Sequence, residues 1–599
     1  MPRRTTSTRS RIAPVRSQGR RCGAGVSTSV IAVLRKSCAQ GHHHTPSTTV
    51  PVGRRSRLSA ISPPARRFPV PDPQTSRLDT LRKGLWHLRH GGIAEFRQWW
   101  SRQESRRAKP SALANAGDFA TLRKGLWHLR HGGIAEFRLW WSRQESRRAK
   151  PSALSNTPGA SATGSVAVRN SDLARNGFPL PEMRSEPEYE PRPDHVLYLL
   201  HNALPNHSGG YATRTHGLLT ELGRIGWDVD GVTRLGYPYD MPKMADVPEL
   251  PASEVVGEVD YHHLLTGRQI EKKNPMHDYV ARYTDALLPL ARAERPAILH
   301  GASNHWNGLA AVQTGRLLGI PSVYEVRGLW EVTRGSRDPE WGRSDQYRYI
   351  ARMEADAARG ATKVLAITQA LKTELVERGV DEAKIVLVPN GVDTERFTPL
   401  PRDEELAAQL GVAGKTVIGY VGTIVDYEGL DLLLESAATL KRSREDFHVL
   451  IIGDGAKLEE LQSSATSQGL DDVVTFTGRV PHEEVERYYS IIDVTPFPRL
   501  PLPVCEMVSP LKPFEAMAMG KAVIASDVAA LAEIVTPGRN GLLHAKGSAD
   551  SLTGQLELLL DDHELAARLG GQARDWVVAE RDWRQLAATV AEVYAEIVE

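Results

Sequence analysis

Between residues 195 and 525 the chain alternates short apolar runs with glycine-bearing turns and helical patterns. Runs at 195–200 (HVLYLL), 297–300 (AILH), 322–326 (SVYEV) and 364–367 (VLAI) form one set. Those at 416–421 (TVIGYV), 449–452 (VLII), 473–476 (VVTF), 494–497 (VTPF) and 522–525 (AVIA) form a second. Runs this short and this apolar predict parallel strands covered on both faces, and the helical stretches between them supply the crossovers. The expected class is α/β, with two doubly wound domains facing a cleft. At 599 residues the chain exceeds one hydrophobic core, which agrees with two lobes.

The net charge of +3 hides an asymmetry. Residues 1–190 hold 34 Lys/Arg against 12 Asp/Glu, and the remainder holds 41 against 60. A basic arm is therefore joined to an acidic body. Residues 1–79, rich in Arg, Ser, Thr and Pro, are expected to be disordered, because little apolar area offsets chain entropy. An over-extended start site is another origin for this arm, and its His42, His43 and His44 read as incidental. Three cysteines (Cys22, Cys38, Cys505) exclude a disulfide scaffold and a clustered zinc site. No apolar run reaches the ~18 residues of a membrane span, and no signal-peptide cleavage site follows the apolar stretch at 29–34.

Residues 80–113 recur as 121–154 with one change, Gln98 to Leu139, at a period of 41. In each copy leucines at i, i+4 and i+7 (Leu81, Leu85, Leu88) precede a Gly91-Gly92 break. Ile93, Phe96 and Trp100 then resume the apolar face. A basic helix with Trp, Phe and Leu on one side suits a membrane interface. A helical hairpin packed on the body or on its twin copy is the other reading, and no specific nucleic-acid partner is expected. The expected organisation is an arm at 1–79, a tandem repeat at 80–154 and a linker at 155–190. Domains follow at 191–370 and 371–580, with a terminal helix at 581–599.

Candidate site residues sit where strands end. Gly209 and Gly210 lie between the first strand and a helix whose apolar face holds Leu218, Leu219 and Leu222. Such a turn either offers helix amides to a ligand or serves only the backbone. Arg327 follows the 322–326 strand, placed for a phosphate or an acceptor, or for an ion pair with Glu325 or Glu331. The densest chemistry is at 505–527 (CEMVSPLKPFEAMAMGKAVIASD). There Pro513 opens a short helix, Lys512 stands at its positive end, and Glu515 lies one turn in. Together they suit a diphosphate and a ribose diol. The plainer reading makes Glu515 a dipole partner and Lys512 a solvated charge.

Several motifs then occur in order: SGGYATRTHGL, VPNGVDTERFTP (388–399), GYVGTIVDYEGLDLLLES (419–436), IIGDGAKLEEL (451–461), VTFTGRVPHEEVERYYSIIDV (474–494) and SPLKPFEAMAMGKAVIASD (509–527). With these, residues from about 194 to 597 resemble glycosyltransferase family 4, retaining sugar-nucleotide transferases of the GT-B fold. The resemblance implies two Rossmann-like domains, with donor nucleotide on the second and acceptor on the first. It implies ribose binding by Glu515, the second glutamate of the family's E-x7-E motif. The first is out of register: Met507 stands eight before Glu515 and Glu506 nine before it. Many relatives carry an Arg and a Lys where this chain has Thr423 and Glu428. Lys512 is then the substitute cation, aided by amides near Gly422, with Ser509 and Leu511 in the same segment. Arg327 stands about where relatives often have a histidine.

The expected reaction is transfer of a hexose from a UDP- or GDP-type nucleotide sugar to a glycan or lipid-linked acceptor. No persuasive Asp-x-Asp is present, and the resemblance implies a metal-independent reaction with retention. Lys512 and Arg327 are the catalytic candidates. Gly209, Gly210, Gly422, Thr423, Glu506, Ser509, Leu511 and Glu515 are those for substrate binding, with no cofactor beyond the donor. Surface polysaccharide or glycolipid synthesis at the cytoplasmic face is the expected setting, with the repeat as a peripheral membrane contact. Two alternatives stand beside it: another sugar-nucleotide enzyme such as an epimerase, and a scaffold that binds a nucleotide sugar without turnover.

Overall fold

The computed structural model describes residues 169–241, 249–267 and 271–599. The basic arm, the tandem repeat and the first part of the 155–190 segment lie outside the described residues. The first lobe holds an 8-stranded sheet of β1 (Arg192–Leu200), β2 (Asp228–Thr233), β3 (Ser253–Val256), β4 (Val259–His263), β5 (Pro296–Ala302), β6 (Ser322–Val326), β7 (Lys363–Ala366) and β8 (Ile385–Leu387). Its order is β3-β4-β2-β1-β5-β6-β7-β8, parallel except where β3 meets β4.

Alternate residues of β1 enter different cores, as a strand's period of two requires. Val196, Tyr198 and Leu200 pack with Leu218, Leu219 and Leu222 of the helix Gly210–Arg224. Leu197 and Leu199 pack on the other face against Tyr279, Tyr283 and Leu287 of the helix Met276–Glu294. Because both faces are covered, the run at 195–200 contains no exposed position.

The second lobe is a 6-stranded sheet of β9 (Thr416–Val421), β10 (Phe447–Ile452), β11 (Val474–Gly478), β12 (Val494–Phe497), β13 (Ala522–Ser526) and β14 (Leu542–His544). The order is β11-β10-β9-β12-β13-β14, all parallel. Two parallel α/β sheets, each with helices over it, give the expected two-lobed class.

The domain limits need correction. Strand β8 pairs with β7, so the first lobe runs past the boundary expected at residue 370. Part of the expected 155–190 linker belongs to the body: the helix Asn170–Asn176 buries Leu173, and the Phe178 amide donates to Asp356 at 2.8 Å. Its low periodicity concealed this, since among its described residues only Leu173 and Phe178 are buried apolar anchors.

The chain crosses between lobes twice, and the two crossings pair. The Val392 amide donates to the Arg581 carbonyl (2.9 Å), and the Trp583 amide donates back to Val392 (3.2 Å). The final helix, Trp583–Val598, then enters the first lobe's core with Trp583, Leu586, Ala587, Val590, Val593 and Tyr594. Among the described residues no helix is long and apolar enough to cross a membrane.

Candidate functional site

Segments that follow strand ends in the two lobes meet across a cleft. The Arg337 guanidinium pairs with Asp426 at 2.9 Å, and the Asn390 side chain donates to the Ser509 carbonyl at 2.7 Å. A Cβ on Gly210 would contact Leu511 at 3.5 Å, and one on Gly328 would contact Val508 at 3.3 Å. Gly209 caps the helix Gly210–Arg224 with extended backbone and no side-chain bond. Gly209 and Gly210 therefore bring bare backbone to the cleft, opposite the segment that carries Lys512.

Lys512 begins the helix Lys512–Ala518. Its Nζ donates to the Tyr420 hydroxyl and to the Thr423 carbonyl (3.3 Å), and lies 3.3 Å from Glu428 Oε1. The side chain passes directly over Gly422, where a Cβ would stand 2.2 Å from Lys512 Cε. Gly422 also has φ +143°, a second reason for glycine here. Thr423 is exposed and takes part through its carbonyl.

Glu428 is buried, 3.5 Å from the equally buried Arg499. Burial pushes its carboxyl up, but Lys512 and then Arg499 outweigh this and hold it below the usual carboxylate range. Burial pulls the Lys512 ammonium down, with Glu428 opposing. The ion pair thus sets a buried anion, Glu428, beside Lys512, the cation expected to substitute for those missing at Thr423 and Glu428.

Glu515, half-buried one turn along the same helix, is pushed up to about 7 by burial, against the pull of Arg396 and Lys512. It is therefore poised between a carboxylate acceptor and a carboxylic acid donor. Glu506 accepts from the Ala529 amide (2.7 Å) and pairs with Lys546 (2.7 Å). Ser509 is buried and held through Asn390, while Leu511 packs on the first lobe's core. Lys512, Gly422 and Thr423 thus converge, with Glu515 one turn along the helix of Lys512, whereas Glu506 is held apart by Ala529 and Lys546.

In the first lobe, Arg327 is buried at the end of β6 and donates to Glu325 (2.6 Å), the Tyr211 carbonyl (2.9 Å), Thr215 Oγ1 (2.7 Å) and the Tyr198 hydroxyl (3.0 Å). Of its two expected roles, the structure realises the ion pair, with Glu325; Glu331 pairs with Arg378 instead (2.6 Å). Glu325 is also held by Arg214 at 2.7 Å. Burial raises its carboxyl, yet Arg327, then Arg214 and His300, drive it well below the ordinary range.

Sequence reasoning missed Arg214, Arg499 and Asn390. Arg214 had a signal, since it shares the buried helix face of Leu218 and Leu222 at four-residue spacing. From there it also donates to the carbonyls of Val388 (2.8 Å) and Pro389 (2.5 Å), anchoring the first crossing. Nothing in the pattern marked Arg499, which follows β12 in a proline-rich turn.

Comparison with known proteins identifies the same regions. The family described as Glycosyl transferases group 1 matches residues 402–576, and Glycosyl transferase 4-like domain matches 209–391. A D-inositol 3-phosphate glycosyltransferase of Arthrobacter sp. (strain FB24) is 32% identical over 308 residues, covering 50% of this chain and 70% of that one. A GDP-mannose-dependent alpha-(1-6)-phosphatidylinositol monomannoside mannosyltransferase of Mycobacterium tuberculosis is 30% identical over 213 residues, 35% of this chain and 55% of that one. Among solved structures, sucrose-phosphate synthase from Thermosynechococcus elongatus superposes with TM-score 0.56 at 22% identity, over 67% of this chain and 98% of that one. Anabaena HepE in complex with UDP and glucose does so with TM-score 0.51 at 18% identity, over 67% and 99%. At these identities the structural likeness speaks for the fold alone.

Proposed function

The chain belongs to the glycosyl transferases group 1 family, and on that footing we propose that it moves a hexose from a UDP- or GDP-type nucleotide sugar to a glycan or lipid-linked acceptor, with retention. The observation that carries the site assignment is the placement of Lys512 and Glu515 one turn apart on a single short helix, with Lys512 lying against the bare Gly422 turn. Glu515 accepts hydrogen bonds from the ribose diol, and Lys512 meets the diphosphate. Transfer breaks the bond from the anomeric carbon to the diphosphate, whose oxygen takes the electron pair. The acceptor hydroxyl oxygen forms the new bond, and its proton leaves on the departing diphosphate. Lys512 stabilises the charge that develops there, and this step calls on no metal in the cleft. Arg327 acts as a positioning residue, holding the Tyr211 backbone and Thr215 beside the acceptor side.

The relatives named for inositol phosphate and phosphatidylinositol mannoside support a polar, polyhydroxylated or lipid-linked acceptor. Work at the cytoplasmic face in surface polysaccharide or glycolipid synthesis fits such acceptors, with the repeat at 80–154 as the membrane contact. The test is a thermal-shift series of the full chain with UDP-, GDP- and ADP-sugars, without added metal. Stabilisation by one base class that is lost in Glu515→Ala supports the donor site; no shift with any of them overturns it. Glu428 beside Lys512 is the one observation favouring binding without turnover. Donor hydrolysis or sugar transfer separates that reading from catalysis.

A further inference from the structure

One end of the first sheet carries titratable side chains that the cleft chemistry does not use. His195 of β1, Asp228 and Asp230 of β2, His262 of β4 and Glu294, the last residue of the helix Met276–Glu294, gather there. His195 precedes the cleft end of β1, Leu200, by five residues, or about 17 Å along the strand. One ligand atom each from His195, Asp230 and Glu294 lie within 4.8 Å of one another.

The histidine supplies an independent indication of a ligand. His195 is 1% exposed, and neither ring nitrogen has a hydrogen-bond partner among the described residues. Its Nε2 stands 3.9 Å from Asp230 Oδ2, and its Nδ1 is 3.1 Å from Asp228 Oδ2 without hydrogen-bond alignment. Leaving a buried polar nitrogen unpaired is unfavourable, and a cation between it and the carboxylates would remove the penalty. Arg192 pairs with Asp228 and takes that charge out of play. Asp230 is oriented by His262 Nε2 at 3.1 Å, the outer hydrogen bond that fixes a metal-ligating side chain. The Glu294 side chain makes no hydrogen bond or ion pair among the described residues, and its charge acts on the nearby His262.

We propose that His195, Asp230 and Glu294 bind one divalent transition-metal ion of the zinc type, tying β1 and β2 to the end of the helix that covers them. One imidazole with two carboxylates is a donor set for zinc and its first-row neighbours rather than for calcium. Bonds of about 2.0–2.2 Å put ligand atoms roughly 3.3 Å apart, so modest side-chain rotation closes the set. The ion is structural, since it lies at the opposite end of β1 from the cleft. It is independent of the glycosyl-transfer reading.

Full-length protein carrying His42→Ala, His43→Ala and His44→Ala, to remove a competing histidine run, is treated with chelator and titrated with Co2+, then Zn2+. One Co2+ equivalent with visible d–d absorption, displaced by Zn2+, is expected. His195→Ala and Glu294→Gln should each weaken that equivalent at least tenfold. If His195→Ala does not fold, Glu294→Gln, at a half-buried helix end, decides the matter. Identical titrations with and without Glu294→Gln would overturn the proposal and leave a histidine–carboxylate cluster only.

Discussion

Lys512 Nζ stands 3.3 Å from Glu428 Oε1, and its side chain lies against the Gly422 turn of the second lobe. The cation assigned to a diphosphate therefore already has an anionic neighbour, and a ligand must share it. Arg499, 3.5 Å from the same carboxylate, completes a three-charge group with one net positive charge.

Glu428→Gln should tighten binding of the preferred nucleoside diphosphate by about 3- to 10-fold, because charge-assisted bonds from Lys512 no longer compete with a buried anion. Isothermal titration at fixed ionic strength measures this. Weaker binding would instead identify Glu428 as the group that holds Lys512 in position.

Lys512→Met should lower kcat by roughly 10²–10³, the loss seen when one preorganised transition-state donor is removed. Steady-state kinetics with saturating donor is the check. A loss smaller than about tenfold would transfer the role to another group.

Glu515 sets a pH dependence. Burial raises its folded-state carboxyl to about 7, above the ordinary 4.5, so the native state holds the proton more tightly than the unfolded chain. The contribution is complete below pH 4.5 and is lost as pH rises toward 7, so stability from this group falls across that window. Glu515→Gln should flatten that part of the pH–stability curve. Nucleotide affinity should rise with pH through 7 in the parent protein, where the carboxylate acceptor forms, and not in the variant.

Glu325→Ala should cost about 3–5 kcal/mol, because it leaves the buried guanidinium groups of Arg214 and Arg327 unpaired. Denaturant titration would show this as a lower midpoint. A neutral result would mean that water enters the site.

Gly217→Ala tests the terminal helix. A Cβ there would lie 2.6 Å from the Trp583 ring, so overpacking should cost about 1–3 kcal/mol and lower Tm. Scanning calorimetry reads it directly.

Most central strands were legible because burial on both faces leaves a largely apolar run, as at 416–421 and 494–497, where the observed limits coincide with the expected ones. The interior strands β2 (DVDGVT) and β4 (VDYHH) were missed because polar residues interrupt them. The edge strands β3 and β8 escaped for the converse reason, whereas the edge strand β11 was expected at 473–476. β3 (SEVV) has only exposed and half-buried positions, and β8 is three residues long. Within the site, Lys512 and Glu515 were visible because a proline-started helix fixes their spacing locally. The partners of Glu325 were not, since Arg214 lies 111 residues away and Tyr198 127 residues away. The actual commitments of Glu506, to Ala529 and Lys546, likewise depend on loops whose closure no local pattern encodes.

The buried terminal helix bears on the order in which the protein is made. Trp583, Leu586, Val590 and Tyr594 complete a core whose other members, Val196, Tyr198 and Leu218, leave the ribosome far earlier. Domains usually fold as they emerge, N-terminal first. Here the second lobe's strands, from Thr416 to His544, are all synthesised before the first lobe receives its last helix. The lobe begun first is therefore the one finished last, and its exposed apolar face must wait through translation of nearly everything that follows.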